Sequence, residues 1–318
     1  MKRIACVIVT YNRKAYLKRC LYAIISQSIK PHTVFITDNA SNDGTIDSVK
    51  QWGFYNSEVN GIKFSYILNK KNEGGAGGFY LGMKTAHETD SFDAFWLMDD
   101  DGEPEARCLE LLSRHSNQYH YIAPLVISDK DRNTCSFTKN HETYTEFAQK
   151  ANEGLVLDFA SPFNGILISS ELVSKVGYPK KEMFIWGDEN NFHSRCIIHG
   201  YKPICVVDAI HYHPIDRQIH TKYRGVELVK IEADWKLYCF VRNKIYNYYH
   251  LRPYLFHNTI LRVCCQIKYL FSMWRTLYII AEFDKKQFKK NRSLIVYKAG
   301  VAGLIGYFGG LDSYLIKP

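Results

Sequence analysis

The chain has 318 residues, 46% of them apolar, nine cysteines and a formal net charge of +9. That length and apolar content exclude a disordered tail or a disulfide-stapled miniprotein and predict one large domain with an appendage, or two domains. The charge is uneven: residues 1–216 carry 23 Lys and Arg against 26 Asp and Glu, whereas residues 217–318 carry 18 against 6 and are net +12.

Strand-like and helix-like segments alternate from the start: "RIACVIV", "KAYLKRCLYAII", "TVFITD", a polar turn, "TIDSVKQW", "IKFSYIL", "NEGGAGGFYLGMKTAH" and "FDAFWLMDDD". Such alternation predicts a mostly parallel sheet covered by helices on both faces. Ligands of open parallel sheets bind beyond the carboxyl ends of the strands, so the tips Thr10–Arg13, Asp38–Thr45, Asn72–Gly78 and Asp99–Gly102 are expected to converge on one edge. The middle, about 105–216, reads as a helix, the strand "YIAPLVI", a loop-rich stretch and the strand "VVDAIHYHP". From about Val226 onward, three- and four-residue apolar spacing predicts helices, and the least charged stretch, Leu294 to Leu311, is broken by Lys298 and five glycines. A membrane-spanning helix is not expected there. The odd cysteine count, without a C-x-x-C pair, predicts reduced thiols, and the apolar run Ile4 to Val9 is too short for a signal-peptide core; a cytoplasmic protein is expected.

Candidate chemistry gathers in four places. Three consecutive carboxylates, Asp99, Asp100 and Asp101, end an apolar strand; like charges this close call for a cation, and in an extended segment Asp99 and Asp101 point the same way toward one hard metal ion. An exposed acidic turn is the simpler alternative. The glycines of "NEGGAGGF" suit close approach of a phosphate or sugar to a helix N-terminus, although the loop matches neither a Walker A nor a G-x-G-x-x-G pattern and a tight turn explains it equally well. Asp38 is placed either to accept hydrogen bonds from a base or ribose or to cap a turn. "WGDENNF" sets Asp188 and Glu189 at a helix start, where Asp188 suits capping and Glu189 is a candidate general base, and His211 and His213 share one strand face as candidate metal ligands.

Taken in order, "VIVTYNR", "ITDNASNDGT", "NEGGAGGF", "WLMDDDGEP", "MFIWGDENNFHSR" and "IHYHP" resemble the inverting glycosyltransferases of the GT-A fold, large family 2, over about residues 3–215. The triple Asp and the glycine loop look most like the galactofuranosyltransferase branch, with rhamnosyltransferases as close relatives. The resemblance implies an α/β GT-A domain, Rossmann-like, at 1–216, followed by a basic, aromatic-rich, mainly helical region at 217–318. It implies that Thr10, Asn12, Asp38, Asn72 and Gly75 surround the nucleotide, that Asp99 and Asp100 lie on the donor side, and that Asp99, Asp101 and His213 hold Mn2+ or Mg2+. His213 is preferred to His211. Counting back from Phe192 and Arg195 favours Glu189 as the base, with Asp188 as the alternative.

The implied reaction moves galactofuranose from UDP-galactofuranose to a hydroxyl of a lipid-linked glycan with inversion; the alternative donor is dTDP-rhamnose. The basic tail, with Lys285, Lys286, Lys289, Lys290 and Arg292, is expected to meet an anionic membrane surface from the cytoplasmic side. No nucleic acid is expected as a partner, and a homo-oligomer is compatible. A membrane-binding protein with a degenerate transferase core and a nucleotidyltransferase are the competing classes. The acidic set argues against the first, and "WGDE" with the late histidines against the second.

Overall fold

The computed structural model describes residues 2–138, 140–215, 220–256, 258–288 and 291–315. Two compact units emerge, one of residues 1–181 with 199–216 and the other of residues 182–198 with 217–318.

The first unit runs β1 (Ile4–Thr10), α1 (Lys14–Ile25), β2 (Thr33–Asp38), α2 (Thr45–Gln51), β3 (Glu58–Val59), β4 (Ile62–Leu68), α3 (Gly74–Thr89), β5 (Ala94–Asp99), β6 (Glu103–Pro104), α4 (Cys108–Arg114), β7 (Tyr121–Ser128), α5 (Tyr144–Ala148), β8 (Leu155–Leu157), β9 (Asn164–Ser169) and α6 (Ser170–Val176). The next helix, α7 (Asp188–Ile198), belongs to the second unit, and β10 (Ile204–His213) returns to the first. One sheet of order β3-β4-β2-β1-β5-β9-β7-β10-β6 results, with β8 paired to β10. β4, β2, β1 and β5 are parallel, as are β7 and β10, and β9 is antiparallel between β5 and β7. The fully buried runs of β1, β2 and β7 are what a sheet covered on both faces demands.

The chain steps outward from β1 to β2 and β4, then returns to place β5 on the other side of β1. That reversal is a topological switch point, where the loops leaving neighbouring strands diverge and open a crevice. Register aligns Thr10 with Asp38 and Val9 with Asp99 at its mouth. Helix α3 lies close on β1 because Gly78 and Gly82 face it: a Cβ at either would sit 2.4 Å from a methyl of Val9 or Val7. These glycines serve packing, whereas a Cβ at Gly75 would meet nothing within 4 Å.

The second unit holds α7, β11 (His220–Tyr223), β12 (Val226–Val229), α8 (Asp234–Tyr246), α9 (Thr259–Phe288) and α10 (Ser293–Ile305). The helical reading from Val226 is corrected: Val226–Val229 is a strand paired with His220–Tyr223, and the helix starts at Asp234. Arg224 and Gly225, at φ 48° and 82°, form a two-residue turn whose twist favours a hairpin over a helix. Helix α10 approaches α8 and α9 through Gly303 and Gly300, where a Cβ would strike the Arg242 carbonyl and Leu277. Arg292 is also corrected. It is buried, ion-paired with Asp284 and Asp234, and donates to the carbonyls of Ile231 and Glu232, so it is a core hub and no part of a basic surface. Lys285 and Lys286 are exposed, and Lys289 and Lys290 lie outside the described residues.

Candidate active site

All four predicted tips of the first unit meet through side-chain hydrogen bonds. Asn12, at φ 53°, accepts from Asn42 N at 2.8 Å, and its own N–H donates to Ser41 Oγ at 2.9 Å, which joins the loop after β1 to the loop after β2. Buried Asn39 donates to the Gly74 carbonyl at 2.9 Å, and Asn72 accepts from Gly74 N at 2.8 Å, which fixes the start of α3. Thr10 donates to Asp100 Oδ2 at 2.7 Å, tying β1 to the acidic turn. Asp38 is buried beneath this surface: one oxygen accepts from Ser41 N at 2.8 Å and the other from the Tyr66 hydroxyl, so it shapes the loop that a ligand would meet.

The three carboxylates do not form the extended run expected of them. Asp99 ends β5, and the chain then turns, with Asp100 N donating to the Val9 carbonyl and Gly102 N to the Asp99 carbonyl. The alternation argument therefore fails, and the side chains separate. Asp100 is buried, and burial raises its pKa to about 7 against the pull of Thr10 and Arg13. Asp101 turns toward β10. Arg13 spans the two, 3.5 Å from Asp100 Oδ1 and 2.7 Å from Asp101 Oδ2. Sequence reasoning had Arg13 in the right tip but gave it no role.

Asp101 Oδ1 lies 3.2 Å from His213 Nε2, yet it is buried and makes no hydrogen bond. His213 Nδ1 is 2.6 Å from the Pro214 carbonyl, a contact that orients the ring with Nε2 toward Asp101. Against the effect of burial, His213 and Arg13 hold the Asp101 carboxyl below the usual carboxylate range. A carboxylate oxygen and an imidazole nitrogen at 3.2 Å have about the separation of neighbouring ligands on one octahedral ion, and Asp101 Oδ1 is buried without a hydrogen-bond partner, so the residues present fit a divalent ion. Among the described residues no group of three or more His, Cys, Asp or Glu side chains is arranged to hold a metal ion. His211 has another place. It is fully buried between Gly102 and Gly165, where a Cβ would approach its ring nitrogens to 2.2 and 2.7 Å, and burial lowers its pKa to about 3.

In the second unit Asp188 and Glu189 open α7, Asp188 buried and Glu189 half-buried. The segment before them is held by α8. Arg242, fully buried, donates to the carbonyls of Glu182 and Met183. Asn243 donates to those of Met183, Ile185 and Trp186 at 2.9, 3.0 and 2.7 Å. Asn247, at the head of a π-helical turn, donates to Gly187 O at 2.8 Å and accepts from Asn191. Phe184 and Trp186 sit at φ 68° and 58°, a conformation side chains avoid, and these hydrogen bonds hold it. Arg242, Asn243 and Asn247 escaped sequence reasoning because an amide inside an apolar helical pattern does not say which distant carbonyls it meets.

The glycosyl transferase family 2 model matches residues 5–172, more than half of the chain. The chain belongs to that family. The transferase is 32% identical over 218 residues to the galactofuranosyltransferase GlfT1 of Mycobacterium tuberculosis, a match that covers 65% of this chain and 69% of the relative. Its fold is similar to that of S. aureus TarS residues 1–349, with TM-score 0.57 and 13% identity, over 99% of this chain and 83% of the other. It is also similar to the mannosyltransferase PcManGT from Pyrobaculum calidifontis, solved with GDP-Man and Mn2+, with TM-score 0.54 and 14% identity over 95% and 87% of the two chains. The transferase accordingly has the GT-A fold, a mostly parallel sheet with helices, followed by a helical C-terminal region.

Proposed function

We propose that this family 2 glycosyltransferase is a metal-dependent, inverting galactofuranosyltransferase that transfers galactofuranose from UDP-galactofuranose to a hydroxyl of a lipid-linked glycan at the cytoplasmic face of a membrane. The observation that supports metal dependence is the Asp101–His213 pair, a carboxylate oxygen and an imidazole nitrogen 3.2 Å apart at the carboxyl edge of the sheet, with that oxygen buried and lacking a hydrogen-bond partner. The 32% identical galactofuranosyltransferase relative supports the sugar.

Asp101 Oδ1 and His213 Nε2 would hold Mn2+ or Mg2+, which when bound neutralises a diphosphate leaving group. The chain's own residues do the rest. Thr10 and Arg13 keep Asp100 and Asp101 in their separate orientations. Asn12, Asn39 and Asn72 lock the loops that would receive the nucleotide, and Gly75, open to solvent at the start of α3, would let a phosphate or sugar approach the backbone. Glu189 takes the proton from the acceptor hydroxyl as the new bond from that oxygen to the anomeric carbon forms and the bond from carbon to diphosphate breaks, so UDP leaves and the anomeric centre inverts. Asp188, buried in the first turn of α7, sets a carboxylate at the positive end of that helix.

A screen of nucleotide sugars for Mn2+-dependent hydrolysis and transfer tests this. Turnover of UDP-galactofuranose that chelator abolishes is expected. Selective turnover of dTDP-rhamnose would replace the donor, and no metal-dependent turnover of any nucleotide sugar would defeat the reading.

A further inference from the structure

Helix α9 is half core and half unclaimed. Met273, Leu277 and Ile280 fill the core of the second unit, while Ile260, Val263, Ile267, Phe271, Trp274 and Tyr278 are all exposed, Ile260 at 72% and Phe271 at 77%. Steps of three and four residues keep these six within about 80° of one another around the helix axis, in a stripe roughly 27 Å long. Single exposed apolar residues are ordinary, but an aligned row ending in Trp and Tyr is not. Exposed Lys268 and Arg275 lie along one side of the row, and exposed Lys285 and Lys286 lie at its end. From Trp235 to Ala281 the chain holds seven Lys and Arg and no Asp or Glu.

We infer that this stripe of α9 is a lipid-binding face, which lies in the plane of an anionic membrane surface with its apolar row among the acyl chains and its flanking cations at the headgroups. Charge decides the occupant. Pairing two copies along the stripe would bring the Lys268 and Arg275 of each copy together with no Asp or Glu from Thr259 to Ala281 to answer them, whereas anionic headgroups complement both. Among the described residues no helix is long and apolar enough to cross a membrane, so α9 rests on the surface. Of the basic cluster expected at 285–292, Lys285 and Lys286 lie at the end of α9 and Arg292 is internal. The inference rests on the transferase reading only for its purpose, access to a lipid-linked acceptor.

The test uses the full chain with vesicles of phosphatidylcholine alone or mixed with phosphatidylglycerol. Wild type is expected to co-sediment with the mixed vesicles. The double variant Ile267→Ser with Phe271→Ser is expected to bind them roughly tenfold or more weakly at an unchanged melting temperature. Lys268→Glu with Arg275→Glu is expected to lose most of the salt-sensitive part of binding. Equal co-sedimentation of wild type and the Ser variant overturns the inference, as does a wild-type dimer that the Ser variant dissociates while vesicle binding is unchanged. Donor hydrolysis by the same preparations, expected to be equal, tests the transferase reading separately.

Discussion

Asp101 and His213 stand more than 100 residues apart in sequence and meet at 3.2 Å, with Asp101 Oδ1 buried without a hydrogen-bond partner and His213 oriented by its contact from Nδ1 to the Pro214 carbonyl. Removing either ligand is expected to weaken Mn2+-dependent UDP binding by at least about tenfold. Calorimetry on Asp101→Ala and His213→Ala in manganese and in chelator measures this without reference to turnover. Wild-type UDP affinity that chelator leaves unchanged would show that the pair holds no metal.

Glu189→Gln is expected to lower kcat roughly 100-fold while the donor KM stays near wild type, because a base acts on the acceptor in the transition state. Asp188→Asn is expected to act mainly on stability, costing on the order of 1 kcal/mol through loss of a charge at the start of α7. Steady-state kinetics and thermal melts of both variants separate the roles, and a large kcat loss confined to Asp188→Asn would transfer the base to Asp188.

Asn243 reaches three carbonyls of the 183–186 segment that leads into α7. Asn243→Ala takes this donor from the Ile185 and Trp186 carbonyls, while Met183 keeps Arg242, and is expected to destabilise the protein by about 1–3 kcal/mol. Because the same bonds fix the approach to Glu189, kcat is expected to fall with the donor KM unchanged. A variant that loses stability but keeps its kcat at a temperature where it is folded would make Asn243 merely structural.

Gly78 and Gly75 stand three residues apart in α3 and should respond oppositely to alanine. At Gly78 the new methyl would lie 2.4 Å from Val9 and 3.0 Å from Asn39, so Gly78→Ala is expected to push α3 off the sheet and cost about 1–3 kcal/mol. At Gly75 nothing lies within 4 Å, so Gly75→Ala is expected to be neutral or stabilising by up to about 1 kcal/mol, with a raised donor KM. Melting curves and donor titrations of the two variants check both halves.

The alternation of strands and helices through Asp99 was legible in the sequence because it is local: β1, β2 and β5 are largely apolar runs of six or seven residues, β4 alternates buried and exposed positions, and helix and strand periods differ. The four polar tips followed from that order, since parallel strands put all their carboxyl ends on one edge. The acidic cluster, the late histidines and the acidic pair were visible as unusual residues for their places. The hairpin at 220–229 was misread because its turn is signalled only by Arg224 and Gly225, while the valines around it fit either period.

Tertiary structure alone decided what each of those residues touches. Composition makes Arg292 one more cation of a basic tail, and packing puts it against Asp284 in the core, because an ion pair can be buried only where both partners and their remaining donors are satisfied. Adjacent Asp100 and Asp101 have the same chemistry in sequence; the turn after β5 gives Asp100 to Thr10 and Asp101 to His213, because a change of backbone direction within two residues sends neighbouring side chains to different partners. Local pattern is set by short-range sterics and periodicity, but the pairing of distant polar groups depends on the assembled sheet that brings the ends of β1, β5 and β10 together, and no stretch of sequence contains that sheet.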